Sequence, residues 1–277
     1  VAPGAALDAP VQVTHFASAG GAAHTRNLIN LGERSRATII ETYAGDGRYW
    51  RNDVVMARLG PGAQLTRILL VEEAPAAIHT ALFDARLATD ARLDGFGLVL
   101  DGSRVRQEWN VCLAGTGARC RLDAAFVVSG SDAANIVTAV DHAAPGGRTR
   151  ELIKGVAAGG GHGAFQGRIV VREHAQKSDA HQLSRNLMLG RRAVIDTKPE
   201  LEILADDVKC SHGASVGDLD AAALFYLKSR GIPVEAARRM LVEGFLREAA
   251  DGVADAALRA YLLQRLSERL GRLEDAE

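Results

Sequence analysis

Apolar and polar residues alternate in short segments over the first three-quarters of the chain, and this period of two predicts β-strands. Gly, Pro, Asp and Ser bound the segments, and no convincing helical pattern separates them. The predicted strands are Ala37–Tyr43, Val54–Leu59, Leu65–Val71, Phe96–Leu100, Arg106–Leu113, Arg121–Val128, Ile136–Asp141, Phe165–Arg172 and Ala193–Thr197. The chain up to about residue 214 is therefore predicted to be mainly β.

One short phrase recurs in this region: an apolar residue, a turn, a small residue and then alternating apolar positions. The small residues are Ser35, Ala63, Ala91 and Ala118, at steps of 28, 28 and 27 residues. A fixed period of this size is typical of a solenoid, in which each coil buries its inward side chains on its neighbours. An antiparallel sandwich is the competing architecture, because it also has periodic short strands. We favour the solenoid because the corner chemistry repeats along with the spacing.

After Gly217 the pattern changes to that of amphipathic helices, with Gly231 as a stop signal and Pro233 as a first helical residue. The predicted helices are Asp218–Arg230, Val234–Ala250 and Ala254–Leu270. We expect two domains, a β-helix core over residues 1–214 and a helical domain over residues 215–277. The helices either pack on themselves or on the solenoid end, or they form a docking surface for another protein.

Charge and cysteine content narrow the class of protein. Lys and Arg number 33 against 34 Asp and Glu, so nothing in the net charge suggests a nucleic acid or an anionic membrane as partner. Three cysteines at unrelated spacings argue against a disulfide framework, and no apolar run approaches the roughly 20 residues that span a bilayer. We expect a cytoplasmic protein. Because the sequence begins at Val1 without methionine, we also expect a fragment or a processed form.

Candidate chemistry lies in the segment Leu201–Gly217, where strands give way to helices. Cys210 and His212 carry a thiolate and an imidazole, the donors that iron–sulfur clusters and zinc select. Two ligands are too few for a stable site, so the missing ones would come from another chain. The alternative is an inert, buried cysteine. The adjacent Asp206 and Asp207 are interpreted as a solvated corner in preference to a cation site.

The other sulfur and imidazole side chains are interpreted as structural. Cys112 and Cys120 lie in apolar strand patterns and are predicted to pack in the core. His162, His174 and His181 are spread over separate segments without ligand spacing, so we expect solvated or hydrogen-bonded rings.

Several dispersed segments carry a family resemblance. They are His24–Leu28, Arg150–Gly155, Phe165–Ile169, Ala175–Ala180, Ser184–Leu187, Thr197–Ile203, Asp206–Ala214, Phe225–Leu227 and Ser229–Ile232. In this order they resemble the SufB/SufD family, the scaffold proteins of the Suf iron–sulfur cluster assembly system. The chain looks closer to SufD, because Gly213 follows His212 where SufB-like chains tend to carry a glutamate.

The resemblance implies a right-handed parallel β-helix with a C-terminal α-helical domain. It implies a non-catalytic, SufD-like scaffold subunit that pairs with a SufB-like subunit and binds the ABC ATPase SufC through its helices. A transient iron–sulfur cluster, shared with the partner chain, would contact Cys210 and His212; alone, the chain could form a homodimer. The residues expected to bind the ATPase are Phe225, Tyr226, Arg230, Gly231 and Phe245.

Two other functions stay open. A purely structural heterodimer partner would have the same fold with an inert Cys210. A carbohydrate-active β-helix enzyme would need acidic and basic residues stacked at the repeat period along one face, and no strand of the sequence shows them.

Overall fold

A computed structural model describes residues 1–274, which form fifteen β-strands followed by three α-helices. The first strands are β1 (Val11–Ala17), β2 (Ala22–Leu31), β3 (Arg36–Gly45), β4 (Trp50–Leu59), β5 (Gln64–Glu72), β6 (Ile78–Leu87), β7 (Arg92–Asp101) and β8 (Arg104–Leu113). The others are β9 (Arg119–Val128), β10 (Ala133–His142), β11 (Arg148–Ala158), β12 (His162–Val171), β13 (Asp179–Leu189), β14 (Val194–Ile203) and β15 (Lys209–Gly217). The helices are α1 (Ala221–Ser229), α2 (Val234–Arg247) and α3 (Ala256–Glu274), with a 3₁₀ segment at Glu248–Gly252.

The strands form two parallel sheets, and each strand pairs with the strands two places before and after it. The odd-numbered strands make an eight-stranded sheet and the even-numbered strands a seven-stranded sheet, each in sequence order. One strand from each sheet makes a turn, so the chain winds through about seven turns of a flattened β-solenoid. This topology confirms the predicted parallel solenoid and excludes the antiparallel sandwich.

The small residues of the recurring phrase form the corners that lead into β3, β5, β7 and β9. All four, Ser35, Ala63, Ala91 and Ala118, are fully buried, and each backbone N–H donates to the carbonyl three residues earlier over 3.0 to 3.3 Å. The residue before each has a positive φ: Arg34, Gly62, Asp90 and Gly117. The left-handed conformation and the lack of space beside the next turn explain why glycine and small side chains recur there.

The helices pack along the outer wall of the eight-stranded sheet. Strands β5, β7, β9 and β11 bury side chains on both faces, because α2, the 3₁₀ segment and α3 cover the face that points away from the solenoid interior. This second core contains Ile68, Leu70, Phe96, Leu98 and Val127 from the sheet and Val242, Leu246, Leu262, Leu266 and Leu270 from the helices. Of the alternatives left open for the helices, packing on the solenoid end is wrong for α2 and α3, because the wall itself presents apolar residues outward.

The change from strands to helices occurs at residues 218–220, since β15 ends at Gly217 and α1 begins at Ala221. Asp220 caps α1 through hydrogen bonds from the backbone N–H groups of Ala222 and Ala223. The division into a β-helix core over 1–214 and a helical domain over 215–277 stays a prediction. Within residues 1–274 no helix is both long and apolar enough to cross a membrane.

Candidate functional site

The last turn of the solenoid presents two sheet edges. β14 ends the seven-stranded sheet and β15 ends the eight-stranded sheet, and each pairs with a single neighbouring strand among the described residues. Exposed apolar side chains lie on or beside these strands: Val194, Ile203, Leu204 and Val216. Unpaired backbone groups beside apolar side chains form a template for pairing with another chain.

Cys210 and His212 lie on this terminal turn and share one face of β15. In the register with β13, Cys210 is opposite Ala180 and His212 is opposite Gln182, and both partners are buried. Cys210 is half-buried against the solenoid core, whereas His212 is exposed. Because residues two apart on a strand face the same way, the one-residue spacing places both donors about 7 Å apart on the inward face at the open end.

The electrostatics at Cys210 favour the neutral thiol in the isolated chain. Burial raises the pKa of Cys210, the charge of Asp179 adds to the increase, and a backbone hydrogen bond with Ala180 opposes it. Binding of a metal ion would require loss of this proton. No cluster of three or more His, Cys, Asp and Glu side chains within residues 1–274 is arranged to hold a metal ion. The thiol and the imidazole alone therefore do not complete a coordination sphere.

The other two cysteines differ in position. Cys120 is buried in the solenoid core, as predicted. The prediction that Cys112 packs in the core is wrong: Trp109, Val111 and Leu113 are buried on the inward face of β8, so Cys112 points outward and is half-buried. Burial is the main cause that raises the pKa of its thiol.

The histidines and acidic residues set aside as structural do form ordinary surface contacts. His162 Nε2 lies 2.8 Å from Asp196, His174 Nε2 donates to the Ala143 carbonyl over 2.9 Å, and His181 Nε2 lies 2.9 Å from Asp179. At the corner before β15, Asp207 is exposed and forms an ion pair with Lys177. These findings agree with the predicted solvated or hydrogen-bonded roles.

Four of the five residues predicted to bind the ATPase lie together at the end of α1. Phe225 and Tyr226 are 73% and 57% exposed, and the Arg230 guanidinium lies 5.2 Å from the centre of the Tyr226 ring. Gly231 follows with φ +82° and ends the helical turn. Phe245 lies elsewhere, half-buried against the core shared by the helices and the sheet. Val234 and Met240 are further exposed apolar residues on α2.

A buried lysine joins the helices to the solenoid wall. Lys154 on β11 is 1% exposed; its Nζ donates to the Phe245 carbonyl over 2.8 Å and to the Glu248 carboxylate, and it lies 4.1 Å from the centre of the Phe245 ring. Arg185, opposite Lys154 on β13, lies 3.8 Å from the same carboxylate. A buried ammonium is stable only with such partners. Sequence reasoning missed this link, whose one signal is a lysine amid apolar residues.

Polar side chains also continue inward from the terminal turn. Gln182 Nε2 donates to Glu151 Oε2 over 2.5 Å, and both side chains are buried. Burial raises the pKa of Glu151 to about 7; the hydrogen bond from Gln182 and the nearby Thr138 hydroxyl oppose the increase, and the charge of Asp123 adds to it. Sequence reasoning missed this pair, although a glutamate at an inward position of a strand pattern is a usable signal.

A second charged cluster fills the first turns of the solenoid, far along the chain from Cys210. Arg51 Nε donates to Glu73 over 2.6 Å, and His79 Nδ1 lies 2.8 Å from the same oxygen. Burial acts to raise the pKa of Glu73, but hydrogen bonds from His79, Tyr49 and Arg51 outweigh it, and the net shift is downward. Because its charges are paired, we interpret the cluster as structural.

Fold and site together define a class: a parallel β-solenoid whose open end presents a thiol and an imidazole on one face. The family model for the SufBD core domain of SUF system FeS cluster assembly matches residues 14–245. The chain therefore belongs to the SufB/SufD family of iron–sulfur cluster assembly proteins and is close to SufD.

Individual relatives support this family membership. SufD of Escherichia coli is 34% identical over 250 residues, which cover 90% of this chain and 59% of that protein. A SufBD family protein of Synechocystis is 30% identical over 252 residues, with 87% and 56% covered. SufD of Bacillus subtilis is 35% identical over 158 residues, with 57% and 36% covered. The chain thus spans little more than half the length of the first two proteins.

Proposed function

We propose that this chain is a SufD-like, non-catalytic scaffold subunit that pairs with a SufB-like subunit and shares a nascent iron–sulfur cluster with it. The cluster is cargo and leaves once assembled. The observation that carries the proposal is the position of Cys210 and His212 on one face at an unpaired solenoid edge. Because the chain supplies two donors, the partner completes the coordination and the cluster stays releasable.

The pairing surface is the open end formed by β14 and β15. A second solenoid that adds its own terminal strands there would satisfy the free backbone edges and cover Val194, Leu204 and Val216. Without the partner, the same edge is available to a second copy of this chain. We expect a homodimer at high concentration and a heterodimer when the SufB-like subunit is present.

The docking surface for a SufC-like ABC ATPase is the exposed end of α1. Phe225 and Tyr226 offer aromatic area to a partner groove, and Arg230 orients the Tyr226 ring. Val234 and Met240 extend this surface along α2. Phe245, half-buried, takes a different role from the one predicted, since it contacts Lys154 inside the protein.

The link at Lys154 couples the helices to the cluster site. Glu248 accepts from Lys154 on β11 and lies near Arg185 on β13, and Arg185 is opposite Ser215 on β15. Movement of the helices when the ATPase binds ATP would therefore act on β11 and on β13, which pairs with the strand that carries Cys210 and His212. Such a displacement would open or close the edge around the cargo.

The test is cluster assembly in the reconstituted complex with both partners. Cys210→Ala and His212→Ala should each lower the bound iron and sulfide at least several-fold while complex size stays constant. Ser211→Ala is the matched control, because Ser211 lies between the two donors and faces outward. Unchanged iron and sulfide in both variants would refute the scaffold role and favour the purely structural partner with an inert Cys210.

Capture experiments test the two partners. The wild-type chain should retain the ATPase and the SufB-like subunit, and Phe225→Ser with Tyr226→Ser should lose the ATPase alone. Tyr261→Ser is the control, since Tyr261 is 48% exposed on α3, away from α1. Retention of the ATPase by the double variant would contradict the assigned docking surface.

A further inference from the structure

The inward faces of the last three odd-numbered strands carry a column of polar side chains. His212 on β15 is opposite Gln182 on β13, and Gln182 is opposite Glu151 on β11. Rungs of a sheet are about 4.8 Å apart, so each side chain can reach the next. On β9 the column ends at Leu122, which is fully buried. The polar side chains thus begin at the rim and stop two turns inside.

Gln182 has a free acceptor in a place where water has little access. The side chain is 2% exposed, its Nε2 donates to Glu151 Oε2, and its Oε1 is buried without a hydrogen-bond partner among the described residues. Gly167 on β12 leaves room for the amide, because a Cβ there would collide with Gln182 Nε2. A buried carbonyl without a donor is unfavourable, so this oxygen should bind any N–H that comes within reach.

Glu151 decides which way the amide points. In its ionised form, the Glu151 carboxyl group can accept from Nε2 but cannot donate, so this hydrogen bond places the amide nitrogen towards β11. The carbonyl oxygen on the other side of the amide is then available to the neighbouring rung. The inward side chain on that rung is His212.

We propose that Gln182 is a positioning residue for His212: its Oε1 accepts one ring N–H of His212, which turns the other ring nitrogen outward to the metal of the nascent cluster. Glu151 holds the amide in the required orientation. Metal-bound histidines commonly donate their second N–H to a carbonyl or carboxylate, which fixes the tautomer and the ring plane. This inference rests on the proposed function, because it takes His212 as a ligand.

The test is the tautomer of His212 in the 277-residue chain paired with its SufB-like partner, with only this chain histidine-labelled and Zn²⁺ as the probe. Long-range ¹H–¹⁵N spectra of the histidine-labelled protein distinguish the two ring nitrogens. In the wild type with Zn²⁺, one tautomer should dominate by at least 10-fold. Gln182→Met removes the acceptor and should abolish that preference while weakening Zn²⁺ binding 10- to 100-fold, the usual range for loss of such a partner.

Two variants of Glu151 separate positioning from packing. Glu151→Gln keeps an acceptor for Gln182 Nε2 and should keep the tautomer, whereas Glu151→Leu frees the amide and should lose it. Gln166→Met, at an exposed outward position of β12, is the control and should behave as wild type. Should Gln182→Met fail to fold, the Glu151 pair still decides the question.

The outcomes are distinguishable from those of the proposed function. If His212→Ala abolishes cluster assembly but His212 keeps one dominant tautomer in both Gln182→Met and Glu151→Leu, the positioning role is refuted and the scaffold stands. If Zn²⁺ leaves the His212 resonances unchanged in the wild type, the positioning role is also refuted. Unchanged assembly in both Cys210→Ala and His212→Ala refutes the proposed function itself.

Discussion

Glu151→Gln should stabilise the protein by an amount that depends on pH. The glutamate is fully buried, and its pKa rises from 4.5 to about 7 on folding, with burial as the main cause. A folded-state pKa above the unfolded one means that the native protein holds the proton more tightly, so ionisation of Glu151 opposes folding. The penalty is absent well below pH 4.5, grows between pH 4.5 and 7, and is complete above pH 7.

The size of this ionisation penalty follows from the pKa shift of Glu151. A change of about 2.5 pKa units at about 1.4 kcal/mol per unit gives about 3 kcal/mol above pH 7, and about 1 kcal/mol at pH 5. The glutamine keeps the shape and the acceptor for Gln182 but cannot ionise. We therefore expect the free energy of unfolding of Glu151→Gln to exceed that of the wild type by about 3 kcal/mol at pH 8 and by about 1 kcal/mol at pH 5.

Urea unfolding at several pH values, followed by tryptophan fluorescence and circular dichroism, measures this difference. Asp123, whose burial raises its pKa to about 6, titrates in the same range, but it is present in both proteins and its contribution largely cancels. Glu33→Gln serves as the control, because this carboxylate is exposed. A stability difference for Glu151→Gln that stays constant from pH 5 to pH 8 would refute the reasoning.

Three further predictions concern stability and docking. Lys154→Met should lower the free energy of unfolding by about 1 to 3 kcal/mol, because the Phe245 carbonyl loses a charged hydrogen-bond donor while the Glu248 carboxylate left behind is about half exposed; urea unfolding beside the exposed control Lys198→Met checks this. The lowered pKa of Glu73 contributes stability above about pH 4.5 that is lost as pH falls further, so Glu73→Gln should flatten the acid limb of the stability curve; an equally steep limb would contradict it. Phe225→Ser should change the melting temperature by less than about 2 °C, since an exposed side chain contributes within about 0.5 kcal/mol, yet it should weaken ATPase capture.

The repeat made the architecture predictable from sequence, but not every strand. Corner residues and alternating apolar positions predicted most strands of both sheets in the middle of the chain. β11 was missed because Glu151 points inward and Lys154 points outward, and both are buried. Such charges break the pattern of buried apolar residues that strand prediction relies on. Hydrogen bonds to another turn and to the helices stabilise these two buried side chains.

The candidate site was predictable only in part for a similar reason. The spacing of Cys210 and His212 alone predicts that they share a face, because side chains two positions apart on one strand point the same way. The hydrogen bond between Glu151 and Gln182 joins residues 31 positions apart, and Lys154 meets Glu248 across 94 positions. Only the winding of the chain and the return of the helices to the wall bring these groups together.

Side chains along each parallel strand alternate between the interior and the exterior of the solenoid, and this alternation restricts how the protein can change length. Adding or removing an entire coil of about 28 residues leaves every later residue on its original side, so such a change shifts the rim along the axis without altering its chemistry. Adding a single residue inside β15 before Cys210 would exchange its inward and outward faces, so that the Cys210 thiol and the His212 imidazole would face away from the solenoid interior. Natural length variation among functional relatives should therefore come in full coils or at the corners.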